Sequence, residues 1–189
     1  VSTDDKEIKK IAIKYGAECP FLRPKKLAGD KSSAVDADIH ALKWAEKNTG
    51  IKYDFFVELM ATNPLKTSID IDNVLKKIIK TKADSVIGVI RLEDYHPLRI
   101  KKLVNGRITN FKMNLKEIPE GERQALRPKA YIRNGSIYAS RRDLLIKGKR
   151  YGTKNSLPYI MNENNSVNID TKRDMMIASI LLKKNKKKS

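Results

Sequence analysis

The 189-residue chain has one cysteine, Cys19, so no internal disulfide can form. Cys19 has no Cys–His motif beside it and reads as a small buried residue. Aromatic residues are 6% of the chain and Trp44 is the single tryptophan. That is thin for stacking on successive bases. No apolar run approaches the roughly 20 residues of a membrane-spanning helix. The longest, in 85–90 (SVIGVI), has strand length. No charged-then-apolar leader opens the sequence, so a cytoplasmic protein without membrane contact is expected. Glycine-rich phosphate loops are missing too: Asn134-Gly135-Ser136 and Lys147-Gly148-Lys149 do not stand between a strand and a helix. Acidic residues are scarce beside basic ones, 22 against 40, for a net charge of +18. Such a field attracts phosphate. The lysines are spread along the chain (Lys9, Lys10, Lys76, Lys77, Lys101, Lys102) rather than gathered in one arm. With few aromatics, that pattern argues against nucleic acid as a partner. The one true run, 183–188 (KKNKKK), leads into a Lys-rich tail, 184–189, expected to be disordered.

Enough apolar sequence is present, 40% hydrophobic residues, to pack a core. Asp4 with Glu7 resembles a capping box. Ile8, Ile11, Ala12 and Tyr15 then recur at helical spacing until Gly16. Ser33 with Asp36 opens a second helix, with Val35, Ile39, Leu42 and Ala45 on its apolar face and Gly50 at its end. Residues 53–60 (YDFFVELM) and 85–92 (SVIGVIRL) read as strands buried on both faces. Between them a helix starts near Ser68, carrying Ile71, Val74, Leu75, Ile78 and Ile79. This alternation predicts an α/β, three-layer, Rossmann-like domain with a mostly parallel sheet. Ligands of such sheets lie beyond the carboxyl ends of the strands, so loops 2–5, 61–67 and 93–99 carry the interest. Asn105-Gly106 predicts a hairpin within 99–113. A strand broken by Gly135 is expected over 131–139, a short helix over 141–146 and a long polar loop over 147–165. A strand at 166–169 (SVNI) and a last helix capped by Asp170 follow, with Met176, Ile177, Ile180 and Leu181 facing inward.

Seven segments, in order along nearly the whole chain, carry a resemblance: 2–5 (STDD), 21–24 (FLRP), 59–67 (LMATNPLKT), 83–88 (ADSVIG), 95–99 (YHPLR), 131–138 (YIRNGSIY) and 167–174 (VNIDTKRD). Together they resemble the acylneuraminate cytidylyltransferases, which make CMP-sialic acids and their relatives. The resemblance implies a nucleotidyltransferase that transfers CMP from CTP to a nonulosonic sugar acid and releases pyrophosphate. Such activated sugars feed capsule, lipopolysaccharide or glycan synthesis. A divalent cation, usually Mg²⁺, is implied as cofactor, and a homodimer as the assembly, with residues 97–130 as the arm packing on the partner.

The resemblance also assigns residues. Asp170 falls at the metal-holding aspartate, and Asn168 takes the place of a second one, so it brings an oxygen but no charge. As a residue on its own, Asp170 reads first as a simple helix cap; the surrounding motifs favour the metal role, and the two are compatible. Asn134, Gly135 and Tyr138 match the Asn-Gly-x-Ile-Tyr segment of the sugar pocket. Arg99 stands where a lysine commonly faces the sugar acid, and a guanidinium grips a carboxylate bidentately. Arg123 or Arg127 are placed to do similar work. Thr62 and Asn63 belong to the loop usually written Gln-x-Thr-Ser-Pro-Leu-Arg, in which Met60 replaces the glutamine and Lys66 the arginine. Arg23 and Ser33 fall on the nucleotide side, Ser33 being equally well read as a cap. His40 and Trp44 are read as packing residues, and His96 as orienting the loop of Arg99.

Family members begin with a central strand and an Ala-Arg-x-Gly-Ser-Lys-Gly-like phosphate loop that has no match here. The expectation is therefore a domain over 1–183 that lacks its first central strand, with weak CTP binding by this stretch alone. The rival reading is a non-catalytic remnant that retains dimerisation or sugar binding.

Overall fold

The computed structural model describes residues 1–92, 95–111 and 126–186. Five helices and six strands are seen among them: α1 (Lys6–Lys14), α2 (Ala34–Thr49), β1 (Phe55–Leu59), α3 (Ser68–Thr81), β2 (Ser85–Leu92), β3 (Lys101–Val104), β4 (Arg107–Asn110), β5 (Ala130–Arg141), α4 (Arg142–Ile146), β6 (Ser156–Ile160) and α5 (Lys172–Lys186). The main sheet runs β1-β5-β2-β6, and β3-β4 is a separate hairpin. β1 and β5 are antiparallel, from Phe55 opposite Arg141 to Leu59 opposite Ile137. The chain packs as two units: residues 1–59, 73–87 and 137–157 form the first, and 60–72, 88–136 and 158–189 the second.

The first unit holds an apolar core. Leu42, Val74, Ile78, Val86, Ile137 and Leu145 are buried, each worth about 1.5–3 kcal/mol of transfer free energy. α1 does not share in it. Its cap is Asp5 rather than Asp4, with Asp5 Oδ1 accepting from the amides of Glu7 at 2.7 Å and Ile8 at 2.9 Å. No residue of α1 is buried, so Ile8, Ile11 and Tyr15 lie on an open face instead of the expected core. α2 buries Leu42 together with Ala37 and Asp38, while Val35, Ile39 and Ala45 are only half-buried. Ser33 holds the cap position of α2 without a side-chain bond, and Gly50 ends the helix in the left-handed region at φ 70°. β1 is shorter than the expected 53–60 and forms a sheet edge, so its residues are half-buried or exposed rather than enclosed on both faces.

The second unit is organised differently. Its buried residues are largely polar: Asn63, Asp70, His96, Asn134, Ser136 and Ser166, beside Leu65, Val89, Met161 and Ala178. Most of these groups are hydrogen-bonded, Asn63 Oδ1 and Ser136 Oγ being exceptions, so this unit is organised around a bonding network. The hairpin turns at Asn105 (φ 51°) and Gly106 (φ 73°), the left-handed pair that matches the twist of two-residue hairpins. β5 is continuous through Gly135, which takes φ 62° without ending the strand.

Two expectations over 147–181 are corrected. β6 lies inside the stretch read as loop, and 166–169 is not a strand. Pro158 removes a ladder donor and is tolerated because β6 is an edge strand. On α5, Met176 and Ile180 are exposed, Ile177 is 39% exposed and Leu181 half-buried, while Ala178 is the buried residue. The inward face is therefore narrower than the apolar spacing suggested.

Gly88 is needed for close approach. A Cβ there would lie 2.7 Å from Asn134 Oδ1 and 3.2 Å from Met161 Sδ. Gly88→Ala is expected to lower stability by about 1–3 kcal/mol. Urea unfolding should show a lower midpoint with an unchanged slope; an unmoved midpoint would contradict the packing.

Candidate active site

The second unit brings together six of the residues singled out from sequence. Asn63 is fully buried, and its Nδ2 donates to the backbone carbonyl of Asn134 at 2.9 Å. Asn134 Nδ2 donates to Ser166 Oγ at 2.6 Å and lies 2.9 Å from Met161 Sδ. Asn134 Oδ1 accepts from the Ser136 amide at 3.2 Å. One residue on, a Cβ at Gly135 would stand 3.2 Å from Asn168 Oδ1, so the absent side chain leaves room for Asn168. Asn168 Nδ2 in turn donates to Asp170 Oδ2 at 2.6 Å. The Thr62 carbonyl accepts from the Ile169 amide at 2.8 Å, tying the 60–67 loop to the segment carrying Asp170. Lys66 closes that loop: its Nζ donates to the carbonyls of Met60, at 2.7 Å, and Asn63. Burial holds the Lys66 ammonium below the usual lysine range.

Asp170 is not the cap of α5. Asp174 Oδ2 accepts from the Asp170 amide, the Thr171 amide and the Thr171 hydroxyl at 2.8–3.1 Å. Thr171 Oγ accepts from the Asp174 amide at 3.3 Å. Thr171 and Asp174 thus bond reciprocally in the manner of a capping box. The hydrogen bonds from Thr171 hold the Asp174 carboxyl below its usual range. The Asp170 carboxylate is exposed and outside this cap.

Other expected residues are less closely tied. Arg99 is exposed at the end of the 3-10 turn Pro97–Arg99. His96 caps that turn through its Nδ1, which accepts from the Leu98 amide at 3.3 Å, and its Nε2 lies 2.8 Å from the Pro128 carbonyl. Arg127 is exposed and donates to the Leu126 carbonyl at 3.0 Å. Arg123 lies outside the described residues.

In the first unit, Arg23 Nη2 donates to the Ser2 carbonyl at 2.5 Å and the Arg23 amide to the Thr3 carbonyl at 2.8 Å. Phe21 packs between His40, edge-on at 4.9 Å, and Trp44 at 5.4 Å. Tyr138 is buried and stacks on Tyr151 at 5.7 Å. The Arg150 guanidinium lies over the Tyr138 ring at 4.6 Å, pairs with Glu58 and reaches Asp38 Oδ2 at 3.6 Å. Burial, then the Glu58 carboxylate, push the Asp38 carboxyl up to about 7, against the pull of Arg150 and Arg23. Asp38, Glu58 and Arg150 were not singled out from sequence. A charge inside the apolar run 53–60 marks Glu58; nothing comparable marks Asp38 on its helix or Arg150 in its loop.

The fold is that of a nucleotidyltransferase. It matches the structure of CMP:2-keto-3-deoxy-manno-octonic acid synthetase complexed with CTP at a TM-score of 0.56 and 15% identity, over 97% of this chain and 80% of that one. The chain belongs to the acylneuraminate cytidylyltransferase family. It is 30% identical over 183 residues to post-translational flagellin modification protein B of Campylobacter coli, covering 97% of this chain and 76% of that protein. It is 28% identical to the CMP-N,N'-diacetyllegionaminic acid synthase of Campylobacter jejuni, over 96% of this chain and 75% of the synthase. It is 26% identical to a pseudaminic acid cytidylyltransferase of the same species, over 98% of this chain and 78% of that enzyme. No family model matches the chain. Among the described residues, no helix is long and apolar enough to cross a membrane.

The Asp38 carboxyl gives a test by pH. A carboxyl whose folded pKa exceeds its ordinary 3.8 holds its proton more tightly in the folded chain. Its contribution therefore lowers stability as pH rises from about 4 to about 7, and is flat above. Asp38→Asn removes this slope. The melting temperature of the variant relative to the native chain should rise by at least about 4 °C between pH 5 and pH 8. A difference independent of pH would show that Asp38 is ionised throughout.

Proposed function

We propose that the chain catalyses transfer of CMP from CTP to a nonulosonic sugar acid. The anomeric hydroxyl oxygen bonds to the α-phosphorus, the bond to the pyrophosphate oxygen breaks, and the hydroxyl proton passes to solvent. Family membership supports the reaction class. The observation that carries the site is an exposed Asp170 carboxylate, relieved of capping and oriented by Asn168.

Asp170 and the Asn168 side-chain oxygen are proposed to hold Mg²⁺. Among the described residues there is no cluster of three or more His, Cys, Asp or Glu suited to a metal. One carboxylate and one amide oxygen are too few for a free-standing site, but they fit an ion that keeps water and takes its other oxygens from substrate phosphates. When bound, the ion would neutralise charge on the phosphates. The chain's own work is positioning. Asn168 fixes the Asp170 carboxylate, Lys66 clamps the loop of Thr62 and Asn63, and Gly135 admits close approach. Arg99, Arg127 and Arg123 are assigned to the sugar carboxylate, Tyr138 to the sugar pocket, and Arg23 and Ser33 to the nucleotide, while Asn134, its polar atoms already bonded inside the unit, holds neighbouring segments rather than the sugar.

A homodimer is part of the same reading. Leu103 and Ile108 face each other across the hairpin, 76% and 72% exposed. Paired apolar residues left this open suit a second copy. The cytoplasm, where CTP is made, is the proposed location.

The direct test supplies CTP, Mg²⁺ and N-acetylneuraminic, pseudaminic or N,N'-diacetyllegionaminic acid. It uses both the chain alone and the chain fused behind the amino-terminal strand and phosphate loop of a family member. Pyrophosphate release is expected from at least the fused form, and release from neither with any acid would refute the activity. Within the active form, Asp170→Ala should cut turnover by more than 100-fold while the circular dichroism spectrum is retained; retained turnover removes the metal assignment. Leu103→Asp with Ile108→Asp should convert a dimer to a monomer in light scattering, and an unchanged mass would remove the hairpin from the interface.

A further inference from the structure

The first unit carries a hollow that the transfer reaction as described does not use. β5 ends between the starts of two other strands. The Arg141 amide donates to the Asp84 carbonyl at 2.9 Å, just ahead of β2, and the Arg142 amide to the Asp54 carbonyl at 2.8 Å, just ahead of β1. These strand ends and the last turn of α3 line a hollow of about 520 Å³. That size lies within the roughly 300–1,000 Å³ of small-molecule sites. The substrates of an α/β sheet sit beyond the carboxyl ends of its strands; this hollow lies at the amino ends of β1 and β2.

The lining has an apolar part and a charged part. Tyr53, Phe55, Ile79 and Ala83 supply the apolar surface. Ala83 is fully buried, Tyr53 and Phe55 are half-buried, and Ile79 is 59% exposed. An open isoleucine beside two aromatic rings is surface that the apolar body of a ligand can cover. Among the charges, both guanidiniums are already engaged. Arg142 donates to both oxygens of Glu46, and Arg141 donates to both oxygens of Asp143, with Asp84 at 3.6 Å. Lys52, Lys82 and Asp54 remain. Beyond the longer-range pull of Lys52 on Glu46, their side chains have no hydrogen bond or ion pair among the described residues. Two ammoniums stand against one carboxylate, so the uncommitted charge is positive.

Lys82 adds an independent observation. It follows the last residue of α3 and takes φ 53°. Glycine occupies this left-handed position without strain, and α2 ends in that way at Gly50. At the matching place on α3 the chain keeps a lysine, at the cost of backbone strain. The residue retained there is a cation on the rim of the hollow.

We propose that this hollow binds a small organic anion with an aromatic or otherwise apolar body. The body lies against Tyr53, Phe55 and Ile79, and the anionic head is held by Lys52 and Lys82. An ammonium is a point charge that accepts a carboxylate or a phosphate alike, so either head satisfies the site. A neutral ligand leaves the lysines unused, and an inorganic anion leaves the apolar surface in water. The proposal does not depend on the cytidylyltransferase reading, and its failure leaves that reading standing.

The test titrates the isotope-labelled native chain with phenyl phosphate, phenylacetate, inorganic phosphate and benzyl alcohol, and follows the backbone amide resonances. At least one aromatic anion should move those of Tyr53, Phe55, Lys82 and Ala83. It should bind at least tenfold more tightly than inorganic phosphate and than benzyl alcohol, and the tighter of the two aromatic anions identifies the preferred head. Lys82→Gly should weaken that binding at least threefold while the melting temperature holds or rises, because glycine relieves the backbone. Lys52→Gln should weaken it likewise, and Asp54→Asn should strengthen it. Should Lys82→Gly not fold, the other two variants decide. The proposal is overturned if the resonances of the hollow stay still or only those of other segments move. It is equally overturned if benzyl alcohol or inorganic phosphate binds as tightly as the aromatic anions, if neither lysine variant loses affinity, or if Asp54→Asn weakens binding.

Discussion

Asn134 is buried in the second unit, and both polar atoms of its side chain are engaged. The amide nitrogen holds Ser166 Oγ at 2.6 Å, the oxygen takes the Ser136 amide, and the residue's backbone carbonyl receives Asn63. Segments near residues 63, 134 and 166, distant in sequence, meet at this one residue. Each bond adds modestly to stability, but leaving any partner unpaired inside the unit costs the full desolvation of that group. The next residue, Gly135, continues the network toward Asn168, and through Asn168 to Asp170. The placement of the exposed carboxylate rests on interior amides rather than on apolar packing.

Much of this architecture was legible where local chemistry is decisive. SVIGVIRL forms β2 over Ser85–Leu92, and α3 begins at Ser68. Asn105-Gly106 turns the hairpin because both residues must take positive φ. Reading failed where tertiary context overrides pattern. Ile8, Ile11 and Tyr15 keep helical spacing on α1, yet nothing buried lies on that helix. Met176 and Ile180 show the same on α5. Periodicity reports that a helix has an apolar side; it does not report how wide a neighbour covers it. β6 escaped notice because Pro158 and polar flanks hide a strand that an edge position tolerates.

The candidate residues were legible only in part, for a related reason. Family motifs name the groups that surround a ligand, and the second unit gathers Thr62, Asn63, Asn134, Gly135, Asn168 and Asp170 into one contiguous set. Motifs do not name what is particular to one chain. Glu58, Asp38 and Arg150 come from a strand, a helix and a loop about 20 to 110 residues apart in sequence, and only the fold places them on one guanidinium. The net charge of +18 gave no hint of them, because lysines spread along the chain dominate the sum.

Thr171 and Asp174 close the start of α5 by themselves. This divides labour between two acidic residues four positions apart: one secures the helix, and the other keeps its carboxylate outside the cap. The start of the helix is thereby independent of the Asp170 carboxylate. A change of charge at Asp170 or beside it at Asn168 would leave the bonds that start the helix in place.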